Sequence, residues 1–169
     1  SHDNERLGLQ AILGSQCSQQ PRAIYDFSEA RVVLSLDSDF LGTGNNSVAN
    51  TATWSKNRIP NEEAPHNTDD HQIAGLYAVE PVMSLTGSNA DHRLRLPHAQ
   101  IEAFAFQLAR ELQADLKGLE GLILERTKGL SDEAKNFASV VAKDLNRQRP
   151  EVRGKKVGVV VAGRRQPAI

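Results

Sequence analysis

The chain has 169 residues, 39% of them hydrophobic, with 20 Lys+Arg against 21 Asp+Glu and a formal net charge of -1. That length suits one domain with a real core, and the near-neutral balance removes the global electrostatic case for nucleic acid or an anionic membrane as partner. No apolar run approaches the ~20 residues a membrane helix needs, no signal-peptide core opens the chain, and a single cysteine, Cys17, makes neither an internal disulfide, a zinc finger nor an iron-sulfur cluster.

In chain order, Asp3 is a plausible N-cap for a short amphipathic helix carrying Leu9, Ile12 and Leu13 and closing at Gly14. Cys17, in GSQCSQQP, reads as an ordinary loop residue. RVVLSLD (31–37) is a compact Val/Leu run before the loop-forming SDFLGTGNNS, and reads as a buried parallel strand. Residues 47–58 suit a helix weakened by Asn50, Thr51 and Thr53. The polar, proline-broken stretch that follows predicts a flexible surface segment over 59–73.

GLYAVEP (75–81) predicts a second core strand and HRLRLP (92–97) a short third. Ile101, Phe104, Ala105, Leu108, Leu112 and Leu116 recur at helical spacing, which predicts a helix that stops at Gly118. Ser131 is the expected N-cap of a further helix, with Asp132 and Glu133 in its first turn. That helix buries Phe137, Ala138, Val141 and Leu145 and runs toward Pro150. KKVGVVVAG closes the set as a core strand.

Strands alternating with helices at these lengths predict a single α/β domain over 1–169, a Rossmann-like three-layer arrangement with a mostly parallel sheet. Ligands of such sheets bind beyond the carboxyl ends of the strands. Here those ends carry Asp37, Ser38 and Asp39, then Glu80, then Gly163, Arg164, Arg165 and Gln166. Glu80 has two readings, a ribose or guanine contact or a solvated strand end before Pro81. Arg164 and Arg165 are placed to hold an anion at a following helix start, where Pro167 suits the first turn. His66, His71, His92 and His98, with Asp69, Asp70 and Asp91 near in sequence, raise a metal site. No two of these histidines form an i, i+4 pair, so none is expected.

YDFSEARVVLSLDSDFLG (25–42), LYAVEPVMSLTGSNADHRLRLP (76–97) and GRRQP (163–167) together resemble the molybdopterin-oxidoreductase-like iron-sulfur subunit of alternative complex III, in order and across nearly the whole chain. DSDFLG and TGSNADHRLRLP are the specific parts. In the wider molybdopterin oxidoreductase family, the resemblance sets Thr86, Gly87, Ala90, Asp91, Leu96, Pro97 and Glu102 around a loop beside the molybdopterin guanine dinucleotide pocket. Read from the residues alone, Asp91 also suits a turn residue that accepts backbone N–H bonds before the strand.

The chain departs from active members at the first strand, where Asp37, Ser38, Asp39 and Phe40 replace a Gly-x-Asn-Pro-like loop. Two carboxylates there repel a pyrophosphate. GTGNN is too weak and too late for a phosphate fingerprint.

The resemblance therefore implies a docking domain, without its own redox centre or cofactor, cut from the large subunit of a quinol-oxidising respiratory electron-transfer complex. Its iron-sulfur clusters lie elsewhere in the full chain. Its partners are other domains of that chain and the complex's subunits, at the periplasmic face of a bacterial inner membrane, with no direct membrane insertion. Asp37, Asp39, Glu80, Thr86 and Asp91 are then vestigial cofactor contacts. The alternative is a domain of an active molybdenum oxidoreductase that binds the dinucleotide through Glu80, Thr86 and Asp91, and a generic nucleotide-binding regulatory module ranks last. The ending just after a strand suggests an excised piece, and the opening Ser1-His2 is compatible with a tag remnant.

Overall fold

The computed structural model describes residues 24–44, 46–59, 73–114, 118–146 and 158–163. The helix expected at the N-terminus, Cys17, the polar stretch at 60–72 and Arg164 to Pro167 lie outside the described residues. Four strands, β1 (Val32–Leu36), β2 (Gly75–Glu80), β3 (His92–Arg95) and β4 (Gly158–Ala162), form one all-parallel sheet in the order β3-β2-β1-β4. The chain order reverses between β1 and β4. The result is an α/β domain with a Rossmann-like layout.

Alternation along the strands sorts side chains onto two faces. Val33 and Leu76 face Phe27, Phe40, Trp54 and Val161 on one side, while Leu34, Leu36, Tyr77, Val79 and Leu94 face Ile101, Phe104, Ala138, Val141 and Leu145 on the other. The near-continuous apolar runs of β1 and β2 follow from burial on both sides.

The first face is covered by α1 (Ser47–Lys56), which buries Trp54. Asn50 and Thr51, polar residues that weaken this helix in the sequence, hold it in place. The Asn50 amide donates to the Phe40 carbonyl at 3.1 Å and the Thr51 hydroxyl to that of Leu41 at 3.4 Å.

The second face carries α3 (His98–Glu111) and α5 (Asp132–Asn146), with α4 (Glu120–Thr127) beside α3. The Ser131 hydroxyl accepts from the Ala134 N–H at 3.2 Å, the cap expected from its sequence. One boundary differs from the sequence reading, which ran α3 to Gly118. α3 begins at His98, directly after Pro97, and ends at Glu111, before Gln113 takes a φ of 55°. A separate helix, α4, then follows Gly118 (φ 83°). Its eight residues bury only Ile123 and Thr127 and leave Leu122 and Leu124 exposed, so no apolar stripe announces it. A single helical turn, α2 (Leu85–Ser88), also stands where the sequence suggested plain loop. No helix among the described residues is long and apolar enough to cross a membrane.

Candidate functional site at the carboxyl edge of the sheet

The parallel strands all end at one edge, and four of the five residues singled out in the sequence meet there. β1 runs into Asp37 and the 38–44 loop, and β2 ends at Glu80 before α2, which contains Thr86. Asp91 stands at the opposite edge. Its N–H donates to the carbonyl of Leu76, near the start of β2, some four residues or roughly 13 Å of strand from Glu80. The structure thus brings Asp37, Asp39, Glu80 and Thr86 together and leaves Asp91 out.

Asp39 is the hub of the loop. Its Oδ1 accepts from the Thr86 N–H at 2.9 Å and the Thr86 hydroxyl at 3.0 Å, and its Oδ2 from the Thr43 N–H at 2.8 Å and the Thr43 hydroxyl at 3.1 Å. Thr86 is fully buried and its hydroxyl oxygen also accepts from the Leu41 N–H at 3.1 Å. One carboxylate and one threonine therefore lock the β1 loop to α2. Burial alone pushes the Asp39 carboxyl upward, but the backbone and hydroxyl donors of Thr86 and Thr43 outweigh it and hold the pKa below the ordinary value.

Glu80 is 4% exposed, so a solvated strand end is not what the chain builds. The reason is Arg93, whose Nε donates to Glu80 Oε1 at 2.6 Å. Ser84 completes the set, its N–H reaching Oε1 at 3.2 Å and its hydroxyl Oε2 at 2.6 Å. The same Ser84 oxygen accepts from the Gly87 N–H at 3.0 Å and caps α2. A glycine is required at 87, because a Cβ there would lie 1.7 Å from Glu80 Oε1.

Asp37 occupies the left-handed region at φ 52°, and its Oδ2 lies 3.0 Å from His98 Nδ1 at the start of α3. Beside it, a Cβ on Gly163 would fall 1.9 Å from the Asp37 carbonyl oxygen, so the ends of β1 and β4 touch backbone to backbone.

At the far edge, Asp91 forms a two-pronged pair with Arg58, at 2.8 and 2.9 Å, and accepts from the Leu76 N–H at 2.8 Å. Arg58 also donates to the Ala74 carbonyl at 2.6 Å and lies over the Trp54 ring. Burial raises the Asp91 carboxyl, and Arg58 and Leu76 reverse this to a net lowering. These contacts are those of a turn residue that ties α1 to the sheet. Elsewhere, His92 stacks on Tyr77 and Glu102 pairs with Arg126 of α4 at 3.4 Å. His92 and His98 thus lie at opposite ends of β3. His66, His71, Asp69 and Asp70 lie outside the described residues.

Sequence reasoning missed Ser84, Arg93, Thr43 and Arg58. Ser84 carried a readable signal, as a hydroxyl three residues before Gly87 in the manner of an N-cap. Arg93 and Arg58 carried none, since their partners stand 13 and 33 residues away.

Asp39 and Asp91 together make a pH prediction. Both folded-state pKa values lie below their ordinary ones. Their contribution is therefore full above the unfolded carboxylate pKa of about 3.9 and is lost as pH falls through the lower folded values. Urea unfolding at a series of pH values should show stability falling steeply below about pH 4, and a chain carrying both Asp39→Asn and Asp91→Asn should show a shallower fall. An unchanged slope in that double variant counts against the assignment.

Fold and edge define a Rossmann-like α/β domain whose carboxyl-edge loops are cross-linked by their own side chains. No known protein-family model matches the chain, and no curated protein matches it.

Proposed function

We propose that this chain is a docking domain of a large electron-transfer subunit, of the kind its sequence resembles in quinol-oxidising alternative complex III, and that it holds no redox centre itself. One observation carries the cofactor-free part of this reading. Seven backbone donors of the loops at the carboxyl edge, groups of the kind that would cradle a phosphate, are spent on the protein. The N–H groups of Thr43, Ser84, Thr86 and Gly87 go to Asp39, Glu80 and Ser84, that of Leu41 goes to Thr86, and those of Gly42 and Gly44 go to the Asp39 carbonyl. An anion arriving there meets the carboxylates of Asp39 and Glu80 and amides already in use, the opposite of a phosphate-binding nest. The same observation weighs against the alternative, a working molybdopterin guanine dinucleotide pocket, as does the separation of Asp91 from Glu80 and Thr86.

Membership of a complex rests on the resemblance of DSDFLG and TGSNADHRLRLP, and is tested on native membranes. After mild detergent extraction and native electrophoresis, an antibody raised against this chain should mark a large assembly with quinol-dependent electron-transfer activity. A signal confined to small, quinol-inactive species overturns the proposal.

A further inference from the structure

The loop from β2 into α2 holds three bulky apolar side chains out in solvent. Val82 is 76% exposed, Met83 64% and Leu85 59%. They are fixed there, because the segment is tied at both ends. The Ser84 N–H and hydroxyl go to Glu80, and the Thr86 N–H and hydroxyl go to Asp39. Turning the apolar groups inward would break those bonds. An apolar patch on a loop already ordered gives up little further entropy on binding, which is what an interface anchor requires.

The neighbouring charge selects what fits. Arg95 stands opposite Glu80 in the register of β2 and β3, at the same corner of the carboxyl edge. Arg93 and Ser84 already occupy the Glu80 carboxylate. Arg95 is exposed, and its guanidinium has no hydrogen bond or ion pair among the described residues. A second copy placed patch to patch brings no carboxylate to it, since PVMSLTGS (81–88) contains none. Attraction to an anionic membrane is built from clusters of cations, and Arg95 is a single one on an edge that also carries Asp37 and Asp39. Another exposed pair, Leu122 and Leu124 of α4, lies on a helix with charges of both signs and selects no partner. We propose that Val82, Met83, Leu85 and Arg95 receive an amphipathic helix of a partner polypeptide, its apolar stripe on the three side chains and a flanking carboxylate on the Arg95 guanidinium. The inference rests on the docking reading and gives it a surface and a partner chemistry. Its test needs no membrane complex, so the two failures are distinguishable.

The probes are the peptide ELAELLAELLAE and its lysine counterpart KLAKLLAKLLAK, each titrated into the unaltered chain and followed by NMR. Met83 is the single methionine, so its methyl group gives one signal to follow. The acidic peptide should shift the Met83 methyl and the Arg95 Nε–H saturably, with a Kd about ten-fold or more below that of the lysine peptide, the ratio that one charge-assisted bond supplies. Added salt should narrow that ratio, and Arg95→Gln should erase it while the Met83 methyl still responds. Phosphatidylglycerol vesicles should leave both signals in place. Equal Kd values for the two peptides, shifts centred elsewhere or none, a response to the vesicles, or concentration-dependent shifts without peptide, the mark of a second copy, would each overturn the proposal.

Discussion

Replacing Glu80 with alanine should destabilise the domain by about 3–5 kcal/mol, the range for breaking a buried charge pair from one side. The Glu80 side chain is 5% exposed and that of Arg93 20%. Removing the carboxylate leaves the guanidinium with its charge uncompensated in a site of low polarity, and takes the acceptor from the Ser84 N–H and hydroxyl as well. Ser84 caps α2, so the damage should spread to Thr86 and through it to Asp39 and the β1 loop. Chemical denaturation measures the loss. Replacing both partners, as Glu80→Met with Arg93→Leu, should recover a substantial part, because it leaves no orphaned charge. A single-variant loss below about 1 kcal/mol would mean that the pair is as weak as one at the surface.

Gly163→Ala should cost about 3 kcal/mol, at the upper end of overpacking losses, which for a chain of this size lowers the melting temperature by roughly 6–12 °C. The added Cβ falls 1.9 Å from the Asp37 carbonyl oxygen and 2.6 Å from its carbon. Both are backbone atoms, and Asp37 is already in the left-handed region. Relief requires the ends of β1 and β4 to part, at the expense of the 2.8 Å bond from Gly163 to Leu36. Gly75→Ala is the control, since a Cβ there meets nothing within 4 Å. Thermal unfolding of the two variants side by side tests the difference, and equal melting temperatures would mean that the close approach is not maintained in solution.

What was legible in the sequence was the pattern that burial writes locally. The apolar runs of β1 and β2 marked strands covered on both faces, and the spacing of Ile101, Phe104 and Leu108 marked α3. Ser131, with acidic residues after it, marked the start of α5. All are signals within one or two turns of chain. α4 and α2 were not legible, the first because it buries only two of eight residues, the second because one turn has no periodicity to show.

At the edge, the strand-end rule picked out Asp37, Asp39 and Glu80 correctly as positions, while what occupies their oxygens depends on Thr86, Arg93 and His98, which only the folded topology brings near. Asp91 shows the same limit from the other side. Its sequence distance from Glu80 and Thr86 is short, yet β2 runs the length of the sheet between the two edges.

The central claim is that the carboxyl edge is filled by its own donors and carboxylates and takes no guanine dinucleotide. Thermal unfolding with millimolar GMP and GDP, on the unaltered chain and on Asp91→Asn, tests it most directly, because a ligand that binds only the folded state raises the melting temperature by mass action. The account predicts no nucleotide shift in either protein. It also predicts a nucleotide-independent loss of about 1 kcal/mol in Asp91→Asn, from weaker charge-assisted bonds to Arg58 and the Leu76 N–H. A rise in melting temperature with GMP or GDP in the unaltered chain would contradict it, whether or not the Asp91 change alters that rise.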